Sequence, residues 1–320
     1  MSISPVLAFF LFPLILLVLW LAQFVRIHIL HVSDLPRYYS LNKSGDRERS
    51  WALVTGASDG IGFGFAEELA AQNFNVILHG RNKTKLDGLI EQLQQQYPLL
   101  SFKAFVCDAC KHQDWTKAFS ELVEELENDK ADLKILVNNV GGTGGTFNAF
   151  DKMRDRDAKV ILDTIDMNAS FPAAITHALL PMLERNQPAL ILNTGSVVAQ
   201  MPPPYLGIYS ASKSFVMNWN ESLWQEMKAE KLDIEVLAVW VARVINAATK
   251  NRFKPTLWSP DGRTLARSAL HKVGCGSPAV FAYWPHELQA APVQLMPGWL
   301  RRWILRNEVI KEMAIEKQAK

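Results

Sequence analysis

Ala52-Leu53-Val54-Thr55-Gly56-Ala57-Ser58-Asp59-Gly60-Ile61-Gly62 is the stretch on which the reading of this 320-residue chain turns. It opens as a short apolar run, the pattern of a buried strand, and Phe63 to Gln72 beyond it carries a helical pattern. Three glycines stand between them. A strand, a glycine-rich turn and a helix make the first unit of a nucleotide-binding sheet. Glycine has no Cβ, so the backbone can turn tightly and lie against a diphosphate, while the N–H groups of the helix start point at the anion. Gly56, Ser58, Asp59, Gly60, Ile61 and Gly62 are therefore the candidate cradle. The spacing is G-x-x-x-G-x-G rather than G-x-G-x-x-G, and alone it fits an ordinary strand-turn-helix corner equally well.

Downstream, Asn75 to His79 is a second apolar run, ending at Gly80-Arg81-Asn82. In NAD-binding units a carboxylate about 20 residues past the glycines holds the ribose 2′-OH. Here Gly80 and Arg81 occupy that region, and an arginine suits a ribose phosphate through a charge-assisted contact. This favours NADP(H) over NAD; a solvated arginine at a strand end is the plain alternative. Lys83 to Gln96 carries a helical stripe at Leu86, Leu89 and Leu93. Phe102 to Val106 reads as a third strand, with Asp108 just past its end, and Trp115 to Leu126 as a helix with a solvated acidic face. Leu133 to Val137 reads as a fourth strand, closing in Asn138-Asn139-Val140-Gly141-Gly142. This alternation predicts an α/β fold, a doubly wound parallel sheet of Rossmann type, with ligands at the carboxyl ends of the strands.

Asp157 to Leu180 reads as a long helix interrupted at Pro172, with Asn168 in its middle. Pro188 to Asn193 is a fifth strand, followed by Thr194-Gly195-Ser196, and Pro202-Pro203-Pro204-Tyr205 reads as a turn. Tyr209-Ser210-Ala211-Ser212-Lys213 opens the next helix and puts Tyr209 and Lys213 on one face at i and i+4. Most such pairs are surface neighbours. This one lies thirteen residues after a strand-end serine, on a chain that begins with the glycine turn.

With these motifs in this order the chain resembles the short-chain dehydrogenase/reductase family over about Trp51 to Trp284. The resemblance implies that Tyr209 donates a proton to a carbonyl oxygen while a nicotinamide supplies the hydride. Lys213 would lower the phenol's pKa and hold the nicotinamide ribose, Ser196 would orient the carbonyl, and Asn168 would hold a water behind Lys213. Asp108 and Asn139 would lie at the adenine side. The chain looks most like the membrane-anchored 17β-hydroxysteroid dehydrogenase and very-long-chain 3-ketoacyl-CoA reductase group. The likeness rests on its N-terminal apolar segment, on Asn-Asn-Val-Gly at residues 138–141, and on Tyr283-Trp284-Pro285-His286-Glu287-Leu288-Gln289. One departure stands out. After the strand Ile234 to Val239 the family usually has Pro-Gly-x-Val-x-Thr, and here Val241-Ala242-Arg243-Val244-Ile245-Asn246 takes its place. Val244 and Asn246 are the residues expected to cup the nicotinamide amide, Asn246 standing in for the threonine.

Met1 to Val25 carries no charged side chain, and about 20 apolar residues at about 1.5 Å each reach across a bilayer core. No basic residue precedes the run, whereas Arg26, Arg37, Lys43, Arg47 and Arg49 follow it, which predicts an uncleaved anchor with the domain on the cytosolic side. Cys107, Cys110 and Cys275 make no disulfide framework and agree with a reducing compartment; Cys107-Asp108-Ala109-Cys110 has redox spacing without its usual context. A net charge of +2 gives no reason to expect a nucleic-acid partner. The expected division is an anchor at 1–30, a linker at 31–50, a catalytic domain at 51–290 with a substrate lid near 247–284, and a basic amphipathic tail at 291–320. The lid would carry Phe253, Trp258, Phe281, Tyr283 and Trp284; the tail, with Trp299 to Arg306, suits a membrane surface. The expected activity is NADPH-dependent reduction of a lipophilic ketone (a 3-ketoacyl-CoA, a steroid or a secondary metabolite) at the endoplasmic reticulum membrane, and the family's habit of pairing through helices leaves a homodimer open. A cofactor-binding scaffold with little turnover is the alternative.

Overall fold

Short apolar runs in the sequence become strands buried on both faces. The computed structural model describes residues 5–41, 47–48, 50–143, 150–245 and 254–318, so Lys43, Arg49, Asn246 and Phe253 lie outside the described residues. Helix α1 (Pro5–Val25) comes first, and a two-stranded antiparallel pair, β1 (Ser40–Leu41) and β2 (Arg47–Glu48), precedes the main sheet. Strands β3 (Trp51–Val54), β4 (Asn75–Gly80), β5 (Phe102–Val106) and β6 (Leu133–Asn138) alternate with helices α2 (Gly60–Ala71), α3 (Lys83–Gln96) and α4 (His112–Asn128). Helices α5 (Ala158–Ile165) and α6 (Phe171–Arg185) lead to β7 (Ala189–Thr194), and α7 (Gly207–Ala229) to β8 (Ile234–Trp240). Then come α8 (Gly262–Leu270), β9 (Ala279–Phe281), α9 (Trp284–Leu295) and α10 (Gly298–Gln318).

The sheet has the order β5-β4-β3-β6-β7-β8-β9, every pairing parallel. Alternate strand residues face opposite layers. Ala52, Val54, Val76 and Leu78 pack with Phe65, Leu86 and Leu265 on one side. Leu53, Ile77 and Leu136 pack with Phe119, Phe171 and Leu223 on the other. The strand order reverses between β3 and β6, and a crevice opens at their carboxyl ends.

Three segments differ from the sequence reading. The helix interrupted at Pro172 is a continuous path with one π turn at Asp166–Ser170, in which Phe171 N–H donates to the Asp166 carbonyl. Pro172, which has no N–H to give, directly follows this π turn at the start of α6. The stretch expected to be a lid contributes α8 and the seventh strand to the body of the domain. Helix α8 lies so close to the glycine turn that a Cβ at Gly262 would meet the Gly60 carbonyl oxygen at 2.2 Å. Glu68 of α2 accepts from Arg263 Nε at 2.6 Å and from Arg267 Nε and Nη2 at 2.9 Å. Burial pushes that carboxyl up, but the two guanidiniums win and hold it below its ordinary value. Trp284, rather than ending a lid, begins α9.

The expected linker is also docked over its first part. Leu35 and Tyr38 are buried, His31 Nε2 lies 2.9 Å from the Val273 carbonyl, and the Tyr38 hydroxyl donates to Glu235 at 2.6 Å. Such isolated apolar residues in a polar stretch make no periodic pattern. Helix α1 is held at its C-terminal end by Trp20, whose indole N–H donates to Glu287 at 3.0 Å, while Leu14 to Leu19 are half exposed or more. Among the described residues no helix is long and apolar enough to cross a membrane; the described side chains of α1 begin at Leu14.

A chain of buried amides crosses the far half of the sheet. Asn138 Nδ2 donates to Asn193 Oδ1 at 2.9 Å, Asn193 Nδ2 to Asn220 Oδ1 at 2.8 Å, and Asn220 Nδ2 to the Pro278 carbonyl at 2.8 Å. It links β6, β7 and α7 to the turn before β9. Asn220→Leu strands one donor and one acceptor in a dry interior, so it should cost about 2–5 kcal/mol of unfolding free energy. Denaturant titration measures this, and a loss under about 1 kcal/mol would show that the amides act independently.

Candidate active site

The site grows from the place where β3 and β6 part. The Thr55 hydroxyl donates to the Val137 carbonyl at 3.1 Å and accepts from the N–H groups of Asn139 and Val140 at 2.9 and 3.1 Å. Asn139 returns the contact, its amide donating to the Thr55 carbonyl at 3.0 Å. Gly56 sits at φ +66°, and a Cβ on Gly62 would meet the Gly56 carbonyl oxygen at 2.1 Å, so only glycine fits that inner face. Asp59 caps α2 through the Gly60 N–H at 2.7 Å.

A buried histidine braces the turn. His79 Nδ1 accepts from the Gly56 N–H and Nε2 donates to the Cys107 carbonyl, both at 3.1 Å, which fixes the neutral Nε2–H tautomer. Burial lowers its pKa to about 4 and keeps it neutral. In the sequence His79 is only the end of an apolar run; no local pattern marks it.

A cleft of about 590 Å³ runs along the carboxyl ends of the strands. Gly56, Ser58, Asp59, Gly60, Ile61, Gly62, Arg81, Asp108 and Asn139 line it together with Ser196, Tyr209, Lys213 and Val244. Lys111 and Lys159 lie there too, two cations that sequence motifs did not single out; Lys159 pairs with Asp163 at 2.5 Å. Cys107 and Cys110 face the same space, and burial, with Asp108 adding to it, pushes both thiols up to about 11. They are protonated at neutral pH, which suits small packing groups rather than nucleophiles.

Tyr209 stands in the first turn of α7, and one turn on Lys213 is buried in the cleft floor. Its ammonium donates to the Thr194 carbonyl at 2.8 Å, and burial lowers its pKa to about 8. Burial raises the Tyr209 phenol above its ordinary value, and a hydrogen bond with Ser196 works against that rise. The depression expected from Lys213 is therefore not what sets the phenol here: the ammonium is directed at Thr194. Asn168 does not line the cleft. Its Oδ1 accepts from the Gly142 N–H at 3.0 Å, and its Nδ2 donates to the carbonyls of Gly142 and Thr164 at 2.6 and 2.8 Å. A Cβ on Gly141 would lie 2.7 Å from Asn168 Oδ1 and 3.1 Å from Lys213 Nζ, so Gly141 is the spacer between them.

These groups fit a dinucleotide. The glycine turn lines the cleft with Arg81, Lys111 and Lys159, and Ser196, Tyr209 and Lys213 line it too, so backbone N–H groups and cations suited to phosphates share one cleft with hydroxyls and an ammonium.

A family model described as short chain dehydrogenase matches residues 50–255. The very-long-chain 3-oxoacyl-CoA reductase of Neurospora crassa is 32% identical over 274 residues, which cover 84% of this chain and 76% of that protein. The protein of the same name from Pyricularia oryzae is 32% identical over 266 residues, 83% of this chain and 76% of its own. Among solved structures, a short-chain dehydrogenase from Sphingobium yanoikuyae in complex with NADPH is 25% identical, covers 76% of this chain and 90% of that one, and superposes with a TM-score of 0.62.

Arg81 is exposed at the end of β4, on the cleft wall. If it meets a ribose phosphate, Arg81→Ala should weaken NADPH binding about 10- to 100-fold, the size of a lost charge-assisted hydrogen bond, and leave NADH binding unchanged. Equal weakening of both nucleotides in calorimetric titrations would remove Arg81 from that role.

Proposed function

The chain belongs to the short chain dehydrogenase family, and from that premise we propose that it reduces a very-long-chain 3-oxoacyl-CoA to the 3-hydroxyacyl-CoA with NADPH, at a membrane. That the chain is an oxidoreductase working with NADP(H) follows from the family match and the NADPH-bound neighbour. The observation that carries the reaction is the meeting of Ser196, Tyr209 and Lys213 in the cleft that also holds the glycine turn.

When bound, NADPH would supply the hydride for the carbonyl carbon. The chain's own task is to manage the oxygen, on which negative charge grows. Tyr209 is protonated at neutral pH, since burial raises its pKa, and its phenol gives that proton to the oxygen. Ser196, which lines the cleft with Tyr209, would donate its hydroxyl proton to the same oxygen and orient it. Lys213, one helical turn on, lines the same cleft with its ammonium on the Thr194 carbonyl, where it would hold the cofactor's ribose. Asn168 keeps the 138–142 turn and thus the lysine's place, which is a holding role rather than a direct one.

Membrane attachment rests on two features. Leu14 to Leu19 of α1 face outward, and Trp299 and Trp303 of α10 are exposed among arginines. Both suit a protein held by residues 1–30 in the endoplasmic reticulum membrane with its domain in the cytosol, where free thiols persist.

Full-length protein in detergent should oxidise NADPH with long 3-oxoacyl-CoAs in preference to steroids or polycyclic ketones. Tyr209→Phe should lower that kcat by about 10²- to 10⁴-fold while NADPH binding stays within a few-fold. NADPH bound without oxidation across the whole panel would point instead to a scaffold, and an active Tyr209→Phe protein would displace Tyr209 as proton donor.

A further inference from the structure

The wall of the cleft opposite Lys213 is the segment where this chain departs from its family's pattern, and a histidine from a distant helix holds it. Val241, Ala242 and Val244 line the cleft. The Val241 carbonyl accepts from the Val197 N–H at 3.0 Å, which ties the segment to the turn carrying Ser196. On its other side stands His286 of α9, 0% exposed. His286 Nδ1 accepts from the Ala242 N–H and Nε2 donates to the Arg243 carbonyl, both at 3.2 Å. An N–H only donates and a carbonyl only accepts, so the ring is the neutral Nε2–H tautomer. Burial lowers its pKa to about 4, and the bond to Arg243 only partly opposes this, so the ring stays neutral at physiological pH. Tyr283 packs edge-on to it, with centroids 5.3 Å apart.

Proline restricts φ and stiffens a loop from within, whereas Val241-Ala242-Arg243 has no such restraint. The backbone here is stiffened from without, by one ring that takes up a donor and an acceptor on consecutive residues. The next residue, Glu287, accepts from Trp20 at 3.0 Å and lies 2.7 Å from His28, so α9 is itself braced by the N-terminal segment.

We propose that His286 is a positioning residue for the nicotinamide end of the cofactor: by clamping Ala242 and Arg243 it sets the wall that keeps the ring within hydride reach of a carbonyl at Tyr209. The proposal rests on the NADPH reading above. It predicts a split between the two halves of the cofactor, which general destabilisation would not produce.

Full-length protein in detergent is titrated with 2′,5′-ADP, which carries only the adenine half, and with NADPH. In His286→Phe, which keeps a planar ring and loses both hydrogen bonds, 2′,5′-ADP should bind within about two-fold of wild type. NADPH should bind about ten-fold more weakly, as the loss of two neutral hydrogen bonds predicts. The kcat should fall about 10²-fold, the size of a misplaced reacting group. His286→Gln, which can still donate to Arg243, should recover part of both losses. Equal weakening of the two ligands, or NADPH affinity and kcat within about two-fold of wild type, would overturn the proposal. Should His286→Phe not fold, the same split read in His286→Gln, at about three-fold or more in NADPH affinity, decides in the same way. Wild-type protein that binds neither ligand would overturn the cofactor reading itself, an outcome distinct from failure of the clamp.

Discussion

The structure depends on an ammonium taken out of water. Lys213 is 4% exposed, and an unpaired buried charge costs several kcal/mol. The Thr194 carbonyl at the end of β7 meets part of that demand, and burial still lowers the pKa to about 8. The surroundings are arranged to keep the group where it is. A π turn carries Asn168, whose amide grips Gly142 at both its N–H and its carbonyl. Gly141 then passes between Asn168 and Lys213 with no space for a side chain. Helix α7 places Tyr209 one turn before the lysine, where Ser196 meets it. Strand end, π turn and helix therefore converge on one buried charge that lines the cleft.

The sheet was readable because parallel strands buried on both faces make short apolar runs, and each run ended in glycine or a polar residue. The glycine turn, Ser196, Tyr209 and Lys213 were marked by their order along the chain and the family resemblance it carries, and the cleft brings them together. What stayed hidden lacks a local signature. Strand β9 is three residues long and gives no run to read. Gly262, Arg263 and Arg267 acquire meaning only when α8 lies against Glu68. His79 joins Gly56 to Cys107, and His286 reaches back more than forty residues to Ala242 and Arg243, so each looks like an ordinary histidine until the loops are seen around it. Leu35 and Tyr38 lie in a polar stretch that reads as linker, though each fills a place in the core.

The N-terminal segment is continuous with the cleft through one helix. Glu287 of α9 engages Trp20 and His28, while its neighbour His286 engages the loop at Ala242 and Arg243. Arg243 in turn pairs with Glu312 of α10.

The direct test of this account is the pH dependence of kcat/KM for NADPH at saturating 3-oxoacyl-CoA, which reports groups of the free enzyme. A lysine with its pKa lowered is charged below that value and neutral above it, so productive encounter with an anionic cofactor should fall as pH rises through about 8. A profile that stays flat from neutral pH to well above that value would contradict the account, because the buried ammonium would then have no part in receiving the cofactor.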